Sequence, residues 1–273
     1  MNDYFELAQN FFTEKKYQKS LENYLLALKI KPNSIKILIS TALNYMVLKK
    51  YEEAHLLFEK LIVRNQRIAE IYYNNAICLI CINKEEEAII NLKEAVVIRE
   101  NFYEAYVQLC NLLKKFNQND IAIEYYKKSL GKVTQQENIY CNLSELYYLN
   151  KDLKNAKDCA YNAIKINEKN TIALLNLSIC LINEKNFIGA IEYLEKIIGI
   201  DRENAQAYNY LGISNKFLGN ISKATEFFKK AFEINKNYHE PYYNLAQIEL
   251  SRNNFKDGWL YYEHRWGIKN DPP

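Results

Sequence analysis

The amino-acid sequence predicts an all-α fold made of antiparallel helix pairs. Three observations predict it. The same residue types return every 34 positions, apolar residues between them lie at helical spacing, and Gly and Pro number only 7 and 4 in 273 residues. Because sandwiches and barrels need many turn residues, the scarcity of Gly and Pro argues against them.

The 34-residue period is carried by three series of residues in fixed register, numbered here as positions within a repeat that starts at Met1. Position 20 is small: Ser20, Ala54, Ala88, Ala122, Ala156, Ala190, Ala224 and Gly258. Position 8 is also small: Ala8, Ala42, Ala76, Cys110, Ser144, Ser178, Gly212 and Ala246. Position 4 is bulky: Tyr4, Leu38, Tyr72, Tyr106, Tyr140, Leu174, Tyr208 and Tyr242. Small residues let two helices cross closely, and the bulky residue fills the space beside the crossing.

The period divides the chain into eight repeats without an insertion. Each repeat reads as a first and a second amphipathic helix. In the seventh, AYNYLGISNKFLG is followed by the turn Gly219-Asn220 and then by ISKATEFFKKAFEI. Pro32 forbids a continuing helix at the end of the first repeat. The predicted repeats are 1–34, 35–68, 69–102, 103–136, 137–170, 171–204, 205–238 and 239–272.

These positions resemble the tetratricopeptide repeat (TPR) family over essentially the whole chain. The two small positions, the Tyr/Leu position and second-helix apolar pairs such as Phe228 and Ala231 carry the resemblance. It implies an α-solenoid, a right-handed superhelix with first helices on the concave face and second helices on the convex face. Thr41 and Asn75 depart from the Leu that fills position 7 in the other six repeats, so we expect looser packing there.

Composition limits the classes of partner and location. Lys plus Arg (36) nearly balances Asp plus Glu (33), so we expect no nucleic-acid partner. No apolar stretch is long enough for a membrane span. The start MNDYFELAQNFFTEKK lacks a basic segment followed by an apolar run, so we expect no secretory signal. Six irregularly spaced cysteines indicate reduced thiols, which favours the cytoplasm.

The sequence offers no catalytic motif. It contains no phosphate-binding loop, P-loop or nucleophile elbow, and the histidines His55, His239 and His264 are scattered at repeat edges. Cys78 and Cys81 form a C-x-x-C inside a first helix with no second pair for zinc, so we interpret them as packing residues. We expect no catalytic residue, cofactor or metal in this chain, and the activity of any longer product stays open.

Position 6 predicts a peptide-binding ladder. It holds Asn four times and Gln once, and it resembles the asparagine ladder in the TPR domain of O-linked N-acetylglucosamine transferases. An Asn amide pairs with both the N–H and the C=O of an extended peptide. The alternative is that Asn at this position serves no ligand. The predicted contacts are Asn74, Gln108, Asn142, Asn176 and Asn244.

A second candidate site is an apolar patch on the first helices of the second and third repeats. Contiguous exposed apolar surface usually marks a binding site. The alternative is that these side chains pack in the core. The residues are Leu43, Met46, Val47, Ile77 and Ile80.

The last repeat departs from the pattern in the segment DGWLYYEHRW. It resembles the terminal repeat of bacterial TPR proteins that continue into a glycosyltransferase-like domain; the alternative is a degenerate terminal repeat. We expect the last helix to end near Trp266, and residues 267–273 to begin a linker. A guanidinium at position 27 needs a carboxylate or carbonyl partner. The predicted junction residues are Gly258, Trp259, Tyr262, Glu263, Arg265 and Trp266.

The sequence therefore predicts a protein-binding or peptide-binding scaffold. The partner would lie in the concave groove, and a further domain or partner would cover the C-terminal end. The chain would be the acceptor-recognition part of a TPR–glycosyltransferase-like protein. The alternative is a stand-alone TPR adaptor or assembly scaffold with no associated enzyme.

Overall fold

The computed structural model describes residues 4–64 and 67–268, and this part of the chain is entirely helical. The predicted all-α fold of helix pairs is confirmed. The α-helices are α1 (Tyr4–Thr13), α2 (Tyr17–Ile30), α3 (Ile35–Val47), α4 (Tyr51–Val63), α5 (Ala69–Cys81), α6 (Glu85–Ile98), α7 (Tyr103–Lys115), α8 (Asn119–Ser129), α9 (Gln136–Leu149), α10 (Leu153–Ile166), α11 (Thr171–Asn183), α12 (Phe187–Ile200), α13 (Ala205–Phe217), α14 (Ile221–Ile234), α15 (Glu240–Ser251) and α16 (Phe255–Tyr262), followed by a terminal 3-10 helix (Glu263–Gly267).

The chain forms two compact units, an N-terminal unit up to Thr134 and a C-terminal unit from Gln135 onward. The N-terminal unit contains α1–α8 and the C-terminal unit contains α9–α16. Within each unit, an odd-numbered first helix packs against the second helix that follows it, and that second helix packs against the next first helix. The core of each unit thus lies between consecutive helices.

A left-handed residue at position 15 ends each first helix. Its φ is between 57° and 62° at the Lys and Asn residues and 80° at Gly219. In the second repeat, Lys49 N–H donates to Met46 O (2.9 Å) and Lys50 N–H donates to Tyr45 O (2.9 Å). These bonds satisfy the last carbonyls of α3 and reverse the chain. The predicted turn at Gly219 is confirmed, and Lys or Asn makes the same turn in the other repeats.

The small residues at positions 8 and 20 are all buried, as the close helix crossing requires. The two glycines lie at the tightest approaches. A Cβ at Gly212 would lie 2.5 Å from Phe228 Cε1, and a Cβ at Gly258 would lie 2.6 Å from Leu250 Cδ2. The predicted role of these positions is therefore confirmed.

The two polar residues at position 7 are fully buried and hydrogen-bonded. Thr41 Oγ1 donates to Ile37 O at 2.7 Å. The Asn75 amide bonds to side chains of both flanking second helices. At this position, where the sequence predicted looser packing, hydrogen bonds replace the apolar contacts that leucine makes in other repeats.

The chain between the two units departs from the regular repeat. Helix α8 has 11 residues, whereas α10 has 14. It ends at Ser129, just before Gly131, whose φ is +78°. Val133 is buried two residues later. The glycine thus ends the second helix early, close to the boundary at Thr134.

The last helical segment, which the sequence predicted to end near Trp266, has two parts. Helix α16 ends at Tyr262, and the chain continues as the terminal 3-10 helix to Gly267. This turn brings Gly267 against His239, where a Cβ would lie 2.2 Å from His239 Cδ2. It also places His264 Nδ1 3.2 Å from His239 Nδ1 and stacks the His264 ring on Tyr242. The interpretation of the histidines as scattered is therefore wrong for this pair.

Across residues 4–64 and 67–268, the structure contains no helix with the length and apolar character needed to cross a membrane.

Candidate functional site

First helices of the C-terminal unit line two neighbouring cavities. The α9–α11 cavity has a volume of about 340 Å³, and its walls include Tyr148, Ile172 and Ile179. The α13–α15 cavity has a volume of about 450 Å³ and is lined mainly by α13 and the start of α15. Gln206 lines both cavities, so they adjoin each other along consecutive first helices.

Two of the predicted ladder residues lie in the cavity walls and link consecutive first helices. Asn176 Nδ2 donates to Cys141 O (3.0 Å), and Asn244 Nδ2 donates to Asn209 Oδ1 (3.3 Å). An amide has two donor hydrogens and one acceptor oxygen, so each of these bonds uses one function of the donating amide. The sequence did not predict this linking role.

The other ladder residues also lie on first helices. Asn74 is on α5, Gln108 is on α7 and Asn142 is on α9, and all three are half-buried. The structure therefore places all five residues on first helices, and it places Asn176 and Asn244 beside cavities. Their contact with a peptide stays a prediction.

Three tyrosines and one carboxylate surround the α13–α15 cavity. Tyr238 Oη accepts a hydrogen bond from Asn209 Nδ2 at 2.9 Å. Burial, and to a smaller extent the neighbouring Tyr148 and Glu240, raise the pKa of Tyr210 to about 12. Burial, Tyr210 and Glu240 also raise the pKa of Tyr238. Both phenols are therefore neutral at neutral pH, and Glu240 is the one charged side chain among the lining residues.

The predicted apolar patch of the N-terminal unit is divided by the structure. Leu43 and Met46 are half-buried and pack against the core that contains Phe58. Ile77 and Ile80 are half-buried, and Val47 is 44% exposed. The alternative of core packing thus holds for Leu43 and Met46, and ligand binding at this patch stays a prediction.

The predicted junction residues form an aromatic surface at the end of the array. Gly258 is buried, whereas Trp259 and Trp266 are 56% and 59% exposed. Arg265 lies between two rings, with Cζ 4.4 Å from the Tyr262 ring centroid and 4.1 Å from that of Trp266.

The same guanidinium has the partners that the sequence requires. Arg265 Nη1 donates to Tyr262 O (3.2 Å) and to Glu263 Oε1 (3.4 Å). The prediction that it needs a carbonyl or carboxylate is confirmed. Of the predicted linker, Gly267 and Ile268 are described, and residues 269–273 lie outside the described residues.

The C-x-x-C residues have different environments. Cys78 is buried, and burial raises its pKa to about 12. Cys81 is the last residue of α5 and is exposed, so the interpretation of it as a packing residue is wrong. Among the described residues, no three His, Cys, Asp or Glu side chains are grouped to hold a metal ion.

A model of the tetratricopeptide repeat family matches residues 4–34, 137–170, 172–204 and 205–238. The chain is a tetratricopeptide repeat protein. A TPR repeat-containing protein of Methanocaldococcus jannaschii is 25% identical over 261 residues, which cover 85% of this chain and 38% of that protein. The chain thus spans about two-fifths of the length of this curated relative.

Solved TPR structures share the fold. One is the C-terminal part of a TPR repeat-containing protein from Cytophaga hutchinsonii, with a TM-score of 0.71 and 18% identity over 88% of this chain and 99% of that one. Another is YrrB, described as a TPR protein with an unusual peptide-binding site. Its TM-score is 0.53 and its identity 23%, over 67% of this TPR chain and 95% of that one. At these identities the likeness concerns the fold alone.

Proposed function

We propose that this chain is a protein-interaction scaffold that binds an extended segment of a partner along the first helices of its C-terminal unit. The supporting observation is that the two cavities adjoin at Gln206 and both lie on first helices. This is the surface that the sequence assigns to a concave groove. Another protein of this fold, YrrB, is itself described as having a peptide-binding site.

The chemistry of the two cavities suits an extended peptide. Ile172, Leu175 and Ile179 give the α9–α11 cavity an apolar wall for a side chain. Asn176 and Asn244 bring amide groups to the same surface, where they pair with peptide N–H and C=O groups. Backbone contacts hold the peptide, and the cavities select its side chains.

We also propose that all eight 34-residue segments are TPR units. The family model matches four of them. In the remaining segments, positions 8 and 20 are buried in the same way, from Ala42 and Ala54 to Ala246 and Gly258. The Asn74 and Gln108 positions and the apolar patch would then form a binding surface of the N-terminal unit itself, and the protein would act in the cytoplasm.

Two exposed isoleucines provide a matched test of the binding surface. Ile172 is the second residue of α11, lines the α9–α11 cavity and is 58% exposed. Ile188 is the second residue of α12, a second helix, and is 66% exposed. A peptide is first selected from a displayed 12-residue library against the whole chain. We expect Ile172→Asp to lower its affinity by about tenfold or more, because Asp leaves an apolar contact unmade.

The control variant is Ile188→Asp, which we expect to bind within about twofold of the wild type. Both substitutions place Asp in the first turn of a helix, where the helix dipole stabilises it equally. Equal loss in the two variants, or loss only in Ile188→Asp, would contradict binding along the first helices.

We further propose that the C-terminal aromatic surface is a junction with a further domain or partner. Trp259 and Trp266 are exposed at positions 21 and 28, the positions of Leu21 and Val96 in earlier repeats, where both are buried. In the glycosyltransferase-like case, the array would present acceptor proteins to a transferase domain. A stand-alone adaptor or assembly scaffold is the alternative.

The intact mass of the native gene product separates these two cases. A mass tens of kDa above the 32.3 kDa of this chain would support a further domain. A native mass of 32.3 kDa would contradict it and assign the aromatic surface to a separate partner.

A further inference from the structure

We infer that the α13–α15 cavity binds the cationic side chain of an arginine or lysine in the partner's extended segment. This inference rests on the proposed function, because the peptide backbone is assumed to follow the first helices. It adds a chemical class of ligand to one of the two cavities.

Three tyrosine rings make this cavity suitable for a cation. Tyr210, Tyr238 and Tyr243 all line it. The face of an aromatic ring carries partial negative charge and attracts ammonium and guanidinium groups. Position 6 holds Asn in the neighbouring repeats and Tyr210 here, so this ring adds a cation-binding face where the ladder has an amide.

The rings are held in place before any ligand arrives. Tyr238 Oη is fixed by the hydrogen bond from Asn209 Nδ2 at 2.9 Å, and Asn209 is itself buried. The Tyr243 ring contacts the Tyr262 ring, with centroids 5.7 Å apart. Rings that are already ordered lose little conformational entropy when a ligand binds.

Glu240 supplies the only formal charge among the lining residues in the part of the chain that the structure describes. It is half-buried at the first residue of α15, where the helix dipole stabilises a carboxylate. Glu240 lines the same cavity as Tyr210 and Tyr238, and its charge raises the pKa of both phenols. Among the described residues that line this cavity, none is Lys, Arg or His.

Charge and desolvation together select the ligand. A neutral side chain in the cavity would remove water from the Glu240 carboxylate without replacing its charge partner, which is unfavourable. An acidic side chain would be repelled. A guanidinium or ammonium group pairs with the carboxylate and contacts the ring faces at the same time.

The test uses the whole chain and a set of acetylated, amidated heptapeptides, Gly-Ala-Ala-X-Ala-Ala-Gly, with affinities measured by NMR titration in low salt. X is Arg, Lys, citrulline, norleucine or Glu. Citrulline and norleucine are neutral side chains with nearly the shapes of Arg and Lys. We expect the Arg and Lys peptides to bind about tenfold more tightly than their neutral counterparts, and the Glu peptide to bind most weakly.

The variant Glu240→Gln keeps the shape of the cavity and removes its charge. We expect it to reduce the preference for Arg over citrulline to below about twofold, because the Arg peptide binds more weakly and the citrulline peptide binds at least as tightly as before. The control Glu203→Gln removes an exposed carboxylate outside both cavities and keeps the preference.

Each other outcome has a definite meaning. Equal binding of all five peptides would overturn the cation site and leave the peptide-binding surface standing. A preference for Arg that survives Glu240→Gln would also overturn it, because the responsible charge would lie elsewhere. Absence of binding by every peptide would overturn both this inference and the proposed function.

Discussion

The two units share the same 34-residue repeat, but different residues stabilise it in each unit. In the C-terminal unit, position 7 holds Leu143, Leu177, Leu211 and Leu245, all buried. In the N-terminal unit, the same position holds Leu7, Thr41, Asn75 and Leu109, and the polar Thr41 and Asn75 are as buried as Leu109. Asn75 Nδ2 donates to Glu59 Oε1 (2.9 Å) and Asn91 Oδ1 (3.1 Å), and its Oδ1 lies 2.8 Å from His55 Nδ1.

The two units also differ in the side-chain hydrogen bonds that cap the N-termini of their helices. In the C-terminal unit, the side chains of Asp152, Asn170, Asn186 and Asn204 accept a backbone N–H at the starts of α10–α13. None of the helices α2–α8 begins with such a side-chain bond in the part of the chain that the structure describes.

The two units show that burial depends on the position within the repeat, whereas the stabilising contacts depend on the residue at that position. Position 7 is buried in every repeat except the first, where Leu7 is 39% exposed. Whether a polar residue is tolerated there depends on partners from neighbouring helices, because a buried amide without partners is strongly unfavourable. Asn75 finds its partners on α4 and α6. Leu211, at the same position, packs among apolar side chains that include Ile191 and Phe227.

The largest effect should come from placing the asparagine found at position 7 of the N-terminal unit at the same position of the C-terminal unit. Leu211→Asn buries an amide where Ile191 and Phe227 occupy the places of His55 and Asn91. We expect a loss of about 3 to 5 kcal/mol in the free energy of unfolding, measured by urea denaturation. A loss below about 1 kcal/mol would show that partners do not decide which residue position 7 tolerates.

The reverse exchange should have a smaller effect that a second substitution removes. Asn75→Leu leaves His55, Glu59 and Asn91 without this partner, and we expect a loss of about 1 to 2 kcal/mol. The double variant Asn75→Leu, His55→Ile places the apolar pair of other repeats at the contact between the second and third repeats, and it should recover most of the loss. Additive losses in the double variant would contradict the network.

The cap difference predicts an effect of about 1 kcal/mol. Asn186 Oδ1 accepts from Gly189 N at 3.1 Å, so Asn186→Ala removes one of the first bonds of α12. Ser34 precedes α3 without a side-chain bond. We expect Ser34→Ala to change the midpoint of urea unfolding much less than Asn186→Ala. Equal shifts would show that the observed cap bond does not stabilise α12.

The smallest effect is a pH dependence at the end of the C-terminal unit. Burial and the neighbouring His239 lower the pKa of His264 from its usual value of 6.5. The unfolded chain then takes up a proton near pH 6.5 that the folded chain does not yet bind. Stability from the neutral His264 is complete above pH 6.5 and is lost as the pH falls through the folded pKa.

Thermal unfolding at pH 7.5 and 5.5 tests this contribution. We expect the wild type to lose more stability on going from pH 7.5 to pH 5.5 than His264→Phe, which keeps the aromatic contact with Tyr242. Identical losses of stability in the two proteins would show that His264 does not contribute to the pH dependence.

The fold was predictable because the period of 34 and the small residues belong to the sequence itself. Ala54 and Ala88 report a close helix crossing at any site in the array. The end of α16 was not predictable in this way, because it depends on the approach of Gly267 to His239 across the terminal repeat. Fixed spacing reveals contacts that every repeat shares and misses contacts that occur once.

The same reasoning explains what was missed at the candidate site. The Asn at position 6 was visible as a series, whereas its bond to the preceding helix, such as Asn176 to Cys141, needs coordinates. Tyr210 interrupts that series and contributes an aromatic wall to a cavity. Tyr238 is the last residue of the repeat that contains Tyr210, and Glu240 lies in the next repeat, so no local motif joins the three.

Ligand binding along the first helices of the C-terminal unit can be tested by isoleucine methyl NMR. Ile172, Ile179 and Ile213 line the two cavities, whereas Ile188 and Ile200 are exposed on the second helix α12. On addition of a selected peptide, we expect chemical-shift changes at the methyl groups of Ile172, Ile179 and Ile213. We expect none at Ile188 or Ile200. Shifts confined to Ile188 and Ile200 would place the ligand on the opposite set of helices and contradict the claim.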